Sequence, residues 1–326
     1  MHSLLLIALA GFPVEHATIV PGTNKRISDA ETLGIVFSAE LPPQLCKSWR
    51  INSRDYRLLY FPLAFAEILL LDKPLPFKKG HPLFVAWKKF RLDLLSSFRI
   101  HRVSYQSFEE IICQHLSYRA TVAQVLAHRD SAASIPLYEL VGALFRDDLI
   151  GVKCPSRGLP VKYSGSVTSE FSSATVGEKL RTRSTVEISL ASFPAVVHTA
   201  GQKNPVDGVL SVRGSSHGAA QSSILRFWLS FKFSSGGKDA SVSQLTESES
   251  GNVKLAEFLQ DLSSNSKFSS SCNYGLIVTN RSIPHELHEK LWRSKILIVG
   301  GKQLENLLSP TLASVLVFNQ TKENNS

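Results

Sequence analysis

Apolar residues recur at three- and four-residue spacing over 58–71, 83–98 and 104–128. That is the face pattern of a helix, and it predicts a mainly helical first half. Pro74, Pro76 and Pro82 break the chain between the first two of these segments. Past residue 180 the period shortens. The runs 186–190, 206–212, 224–233, 274–279, 295–299 and 315–318 are short, β-branched or aromatic, and read as strands. Helical spacing returns at 137–149, 253–262, 284–292 and 303–308. Serine-rich pieces at 164–184, 211–223, 234–250 and 263–271 read as exposed loops.

The order of these elements predicts topology. From residue 136 it runs helix, three strands, helix, strand, then a further helix and strand. Three consecutive strands predict a meander, and the later alternation predicts crossovers into the same sheet. The expectation is an α/β layered unit with a mixed sheet behind a helical region, α+β overall. The divisions expected are a helical basic region at 1–130, the α/β domain at 131–320, and a polar tail at 321–326.

Composition narrows the classes. The chain has 326 residues, 43% of them hydrophobic, and its 36 Lys+Arg against 27 Asp+Glu give a net charge of +9. Wholesale disorder and collagen-like structure are excluded. No apolar run approaches the roughly 20 residues of a membrane-spanning helix. Cys46, Cys113, Cys154 and Cys272 form no C-x-x-C pair, which excludes zinc ribbons and thioredoxin-type motifs and fits separate thiols in a reducing compartment. The run at 4–10 has two readings: a short signal peptide without a basic leader, or a buried first strand.

Charge is concentrated at 47–102, where twelve basic residues face four acidic ones, an excess of eight. Within it Lys78, Lys79, Lys88, Lys89 and Arg91 lie beside Phe84, Trp87 and Phe90. A basic surface interleaved with aromatics suits a phosphate backbone. The same pattern describes an amphipathic helix with a solvated cationic face.

Two charges stand inside apolar strands. Asp207 occurs in Asn204-Pro205-Val206-Asp207-Gly208-Val209-Leu210, and Lys232 in Phe227-Trp228-Leu229-Ser230-Phe231-Lys232-Phe233. If the strands pair antiparallel, the two side chains meet at one end of the sheet. Alternation sets Ser230 and Lys232 on one face and Phe231 and Phe233 on the other. Glu139 is a third charge among apolar neighbours, in Leu137-Tyr138-Glu139-Leu140-Val141. A buried ion pair, or two strand-end residues reaching solvent, accounts for the first two equally well.

With these residues and this element order, the chain resembles the PD-(D/E)XK nuclease superfamily. The matching pieces are Pro205-Val206-Asp207 and Ser230-Phe231-Lys232. More narrowly it looks like the nuclease-like end of crinkler and retrotransposon-hot-spot effectors, over about residues 136–308. The resemblance implies a restriction-endonuclease-like core with Asp207 and Glu139 as Mg²⁺ ligands. Lys232 would position or activate the attacking water, on a nucleic-acid substrate, DNA by preference. A hard cation on carboxylate oxygens polarises a phosphodiester and acidifies bound water. It also implies a secreted or nuclear location, against an intracellular one otherwise. The sequence departs from the family at Ser230, where a second carboxylate is expected; a neighbouring acid such as Glu187 would have to take its place. That departure predicts weakened or absent cleavage. Two readings stand beside it: a non-catalytic interaction protein using the basic helices, and a diverged transposon-associated product.

Other motifs do not hold. Gly300-Gly301-Lys302-Gln303 lacks the leading glycine and the Ser/Thr of a P-loop. His285 and His288 are three apart rather than the four a zinc protease needs, and read as a solvated helix start. No Gly-x-Ser-x-Gly elbow and no dinucleotide fingerprint occurs.

Overall fold

The computed structural model describes residues 2–11, 13–20, 23–34, 36–41, 46, 51–62, 66, 68, 69, 84, 91, 108, 109, 111–113, 115, 116, 118, 119, 122, 134–136, 153–155, 195–198, 206–214, 223–232, 251–264, 272–281, 283–300, 304 and 307–316. Among these the fold is mixed, with helices and both antiparallel and mixed sheets.

The central element is a five-stranded sheet. Strands β6 (Ala195–His198), β7 (Gly208–Gly214) and β8 (Ser223–Lys232) form an antiparallel meander. Helix α3 (Gly251–Ser264) then carries the chain to β9 (Cys272–Thr279), parallel to β8. Helix α4 (His285–Trp292) carries it to β10 (Ile296–Val299), parallel to β9. The strand order is β10-β9-β8-β7-β6. Meander and crossovers therefore share one sheet; β7, β8, β9 and β10 fall on predicted runs, whereas β6 falls on none of them. Two smaller sheets accompany it: β1 (Val14–Glu15), β3 (Tyr56–Tyr60) and β2 (Phe37–Ala39) in the order β1-β3-β2, and the pair β4 (Ser134–Pro136) and β5 (Lys153–Pro155).

Strand alternation divides the core in two. Leu225, Phe227, Leu229 and Phe231 of β8, with Leu276 and Val278 of β9 and Leu297 and Val299 of β10, pack into one buried cluster with the N-terminal elements. Trp228, Ile277, Ile296 and Ile298 face the other way, onto Leu255, Phe258 and Leu259 of α3 and Leu287 and Leu291 of α4. A sheet covered on both faces needs near-continuous apolar strands, which is what β8, β9 and β10 carry. Edge-to-face ring pairs fix each layer: Phe231 with Phe108 at 6.3 Å on one side, Trp228 with Phe258 at 4.9 Å on the other.

The run 4–10 is the centre of the first cluster, and it is helical. Helix α1 (His2–Ala10) is buried from Leu4 to Ala10. This corrects the expectation of a strand: seven apolar residues in a row carry no period, so a helix buried all round reads the same as a buried strand. The helix ends at Gly11, whose φ of +70° is the left-handed C-terminal conformation. A Cβ there would meet the backbone of Ser309 at 2.6 Å. Arg119, 0% exposed, donates to the carbonyls of Ala10 (2.9 Å), Gly11 (3.1 Å) and Leu307 (3.2 Å). One guanidinium thus satisfies the last carbonyls of α1 and that of a helical residue nearly two hundred positions later. Tyr118 donates to the Leu6 carbonyl at 2.6 Å, and His115 Nε2 lies 2.9 Å from that of Leu307.

Two other expectations are corrected. The helix predicted over 58–71 begins as strand β3, and helical backbone is described only from Ala66 onward. The strand predicted at 315–318 overlaps helix α5 (Pro310–Leu316), whose Thr311 hydroxyl bonds the backbone of Phe61. The predicted helix 137–149 and strand 186–190 lie outside the described residues.

Candidate functional site

β7 and β8 pair antiparallel with Gly208 opposite Leu229, which carries Asp207 to the end of β8 where Ser230, Phe231 and Lys232 stand. The register breaks at this point. The N–H of Asp207 donates at 2.8 Å to the carbonyl of Leu229, the residue already paired with Gly208. Two residues of one strand thus oppose one of the other, the arrangement of a β-bulge. Burial agrees: Val206 and Val209 lie in the same cluster although three residues apart, which an unbroken strand with period two forbids. A bulge re-aims the side chain it carries.

The Asp207 carboxylate is aimed along the edge of the sheet. Its Oδ2 accepts the N–H of Phe231 at 2.6 Å, supplying the partner that a continued β7 would otherwise provide. A carboxylate accepting a backbone amide at this distance is a strong, charge-assisted bond. Asp207 and Lys232 are both half-buried, and Ser230 between Leu229 and Phe231 is 2% exposed. The parallel ladder sets Lys232 beside Thr279 at the end of β9. The chain then turns through Asn280 and Arg281, closely approached by Gly300 at the end of β10. The carboxyl ends of three parallel strands and the bulged start of β7 thus share one edge of the sheet, the location where open α/β sheets place their ligands.

The structure therefore brings Asp207 to the Ser230-Phe231-Lys232 segment through a hydrogen bond to its middle residue. Among the described residues no ion pair joins Asp207 to Lys232. Glu139 and Glu187 lie outside the described residues, as do Lys78, Lys79, Lys88 and Lys89; Arg91 is described as helical and half-buried. Sequence reasoning found both charges of this edge but not the bulge, which is signalled only by Gly208 following Asp207 at the strand entrance.

Asp207 alone does not make a Mg²⁺ cage. Among the described residues no group of three or more His, Cys, Asp or Glu converges. One oxygen of the Asp207 carboxylate is committed to Phe231. A divalent magnesium ion takes oxygen ligands in near-octahedral array and is usually held by one or two carboxylates plus substrate phosphates. Buried Ser230, standing where a second carboxylate is expected, contributes no charge to such a cage. Beside Trp228, the guanidinium of Arg226 is buried on the same strand, and burial holds its pKa below the ordinary arginine value. Comparison with protein-family models, curated proteins and solved structures returned no match for this chain.

Proposed function

We propose that this chain is a nucleic-acid-engaging protein built on a degenerate PD-(D/E)XK nuclease core of the crinkler-like effector kind. Binding is retained in this reading and magnesium-dependent cleavage is weakened or lost. The observation that carries it is the bond from Asp207 Oδ2 to the Phe231 N–H at the carboxyl edge of a sheet whose order is three meandering strands, helix, strand. Asp207 and Phe231 are 24 residues apart in sequence and joined by this bond, which supports the reading. The bulge at Asp207 supports the same reading, since a carboxylate serving only solvent needs no break in register.

In this role Lys232 is a cationic contact for a phosphate of the backbone, and Asp207 orients the strand end from which Lys232 extends. Ser230 in place of an acid favours binding over hydrolysis. DNA is the expected partner, with the basic segment 47–102 adding sequence-independent attraction. The test uses the full chain with plasmid DNA and Mg²⁺, alongside Asp207→Ala and Lys232→Ala. The expected result is salt-dependent binding, weakened by Lys232→Ala, with little or no cutting. Cutting that survives both substitutions sinks the site. An affinity that stays flat as salt is raised removes nucleic acid as the partner and leaves a protein-interaction role for the basic surface.

A further inference from the structure

A second feature lies at the opposite end of the same sheet. Between α3, α4 and the starts of β9 and β10 is a cavity of about 480 Å³, within the range of small-molecule sites. It sits beside Asn273, which pairs with Arg226 of β8, whereas Asp207 bonds Phe231 five residues along that strand. At about 3.3 Å per residue the two places are roughly 17 Å apart. Its floor is apolar, from Leu259 of α3, Leu291 of α4 and Ile296 of β10, all buried. Its rim carries Lys290, Arg293 and Lys295, all exposed, and one acid, Glu257.

The charges do not cancel. α3 and α4 both end here, and each helix C-terminus contributes about half a negative charge. Together with Glu257 these offset two of the three cations. Among the described rim residues about one positive charge is left over the apolar floor, and the buried Arg226 beside Asn273 adds to it. Lys295 adds a geometric observation: its φ is 55°, the left-handed conformation that glycine takes freely and lysine does not. Its N–H closes the turn onto the Trp292 carbonyl at 2.7 Å, and its own carbonyl accepts Gly275 N–H at 2.9 Å. The backbone role would be served better by glycine, so the side chain over the cavity is what lysine adds.

We infer that this cavity binds a small organic acid: one apolar or aromatic body resting on Leu259, Leu291 and Ile296, and a single carboxylate held by Lys295 and Arg293. A neutral body would leave this positive excess unused. The inference is independent of the nucleic-acid reading.

Naphthoate serves as the probe, titrated into the full chain by calorimetry beside its uncharged analogue naphthylmethanol. The expected result is saturable naphthoate binding, with the alcohol at least about tenfold weaker. Lys295→Gly should weaken naphthoate by a similar factor while leaving the thermal midpoint unchanged or higher, because glycine relieves the turn. Arg293→Gln, at the exposed helix end, provides a second variant with the same expectation, and Asp207→Ala should leave naphthoate affinity unchanged. The inference is overturned if naphthoate shows no saturable binding, if the alcohol binds equally well, or if both rim variants retain the parent affinity.

Discussion

His115 is wholly buried, with Nε2 on the Leu307 carbonyl at 2.9 Å. That geometry requires the neutral ring to carry its proton on Nε2. Burial, aided by the nearby Arg119 charge, lowers its pKa from 6.5 to about 3, while the Leu307 carbonyl pushes weakly the other way. The unfolded chain takes up a proton as pH falls below about 6.5, and the folded chain refuses it until about 3. Stability from this residue is therefore complete above the upper value and is lost as pH falls between the two. The steepest slope is about 1.4 kcal/mol per pH unit. His115→Gln keeps a donor for Leu307 and removes the titration. Urea midpoints measured across this window should fall with acid in the parent and fall less in the variant; parallel curves would contradict the assignment. Asp207 makes a different residue-scale claim. Asp207→Ala strands the Phe231 amide and should cost about 1–3 kcal/mol, whereas Asp207→Asn keeps an acceptor and should cost much less. Equal losses in denaturant unfolding would show that the bond to Phe231 is not what Asp207 contributes to stability.

Elements differ in how far their sequence reveals them. Strand β8 was legible because aromatic and aliphatic residues fill it from end to end, and α3 and α4 because their apolar residues keep a helical period beside polar ones. α1 was not, since its apolar run lacks any period, and β3 was absorbed into a helical pattern because Leu58 and Leu59 sit at spacings that suit both. β6, of four residues, and β1, of two, are too short to carry a signal and exist through their neighbours. For the candidate edge, the two charges were visible as intrusions into apolar strands, while their connection through a backbone amide depends on a bulge that pairing creates. Gly300 shows the same limit at the scale of a turn. A Cβ there would collide with the Arg281 carbonyl oxygen and with Ile283, so the end of β10 packs onto the turn after β9 only with glycine. Gly300→Ala must displace backbone rather than a side-chain tip and should cost about 1–3 kcal/mol. Its urea midpoint should fall with the slope unchanged; an unaltered midpoint would mean that the two turns are not held together.

At the scale of the whole molecule, the first buried cluster draws on widely separated parts of the chain. Leu4 to Ala10, Phe108, Ile111, Ile112, Leu116 and Val122, one face of β8, β9 and β10, and Leu304, Leu307, Leu308, Leu312 and Ala313 are all members. Hydrogen bonds cross the same distances: Arg119 and His115 to Leu307, Thr311 to Phe61. Part of the cover for α1, and one of the three carbonyls that Arg119 bonds, therefore come from the far end of the chain. Losing one of the three acceptors of a buried guanidinium costs about 1.5–3 kcal/mol. Leu307, Leu308 and Leu312 together remove several further kcal/mol of apolar burial, at about 1.5–3 kcal/mol each. Residues 1–130 expressed alone should accordingly show helical far-ultraviolet dichroism without a cooperative unfolding transition. The full chain should melt as one unit through this cluster, and Leu307→Ala should lower the transition seen from both ends of the sequence. A fragment 1–130 that unfolds cooperatively, with a denaturant slope fitting its length, would show that the helical region carries a core of its own, and that the cluster joins two units rather than making one.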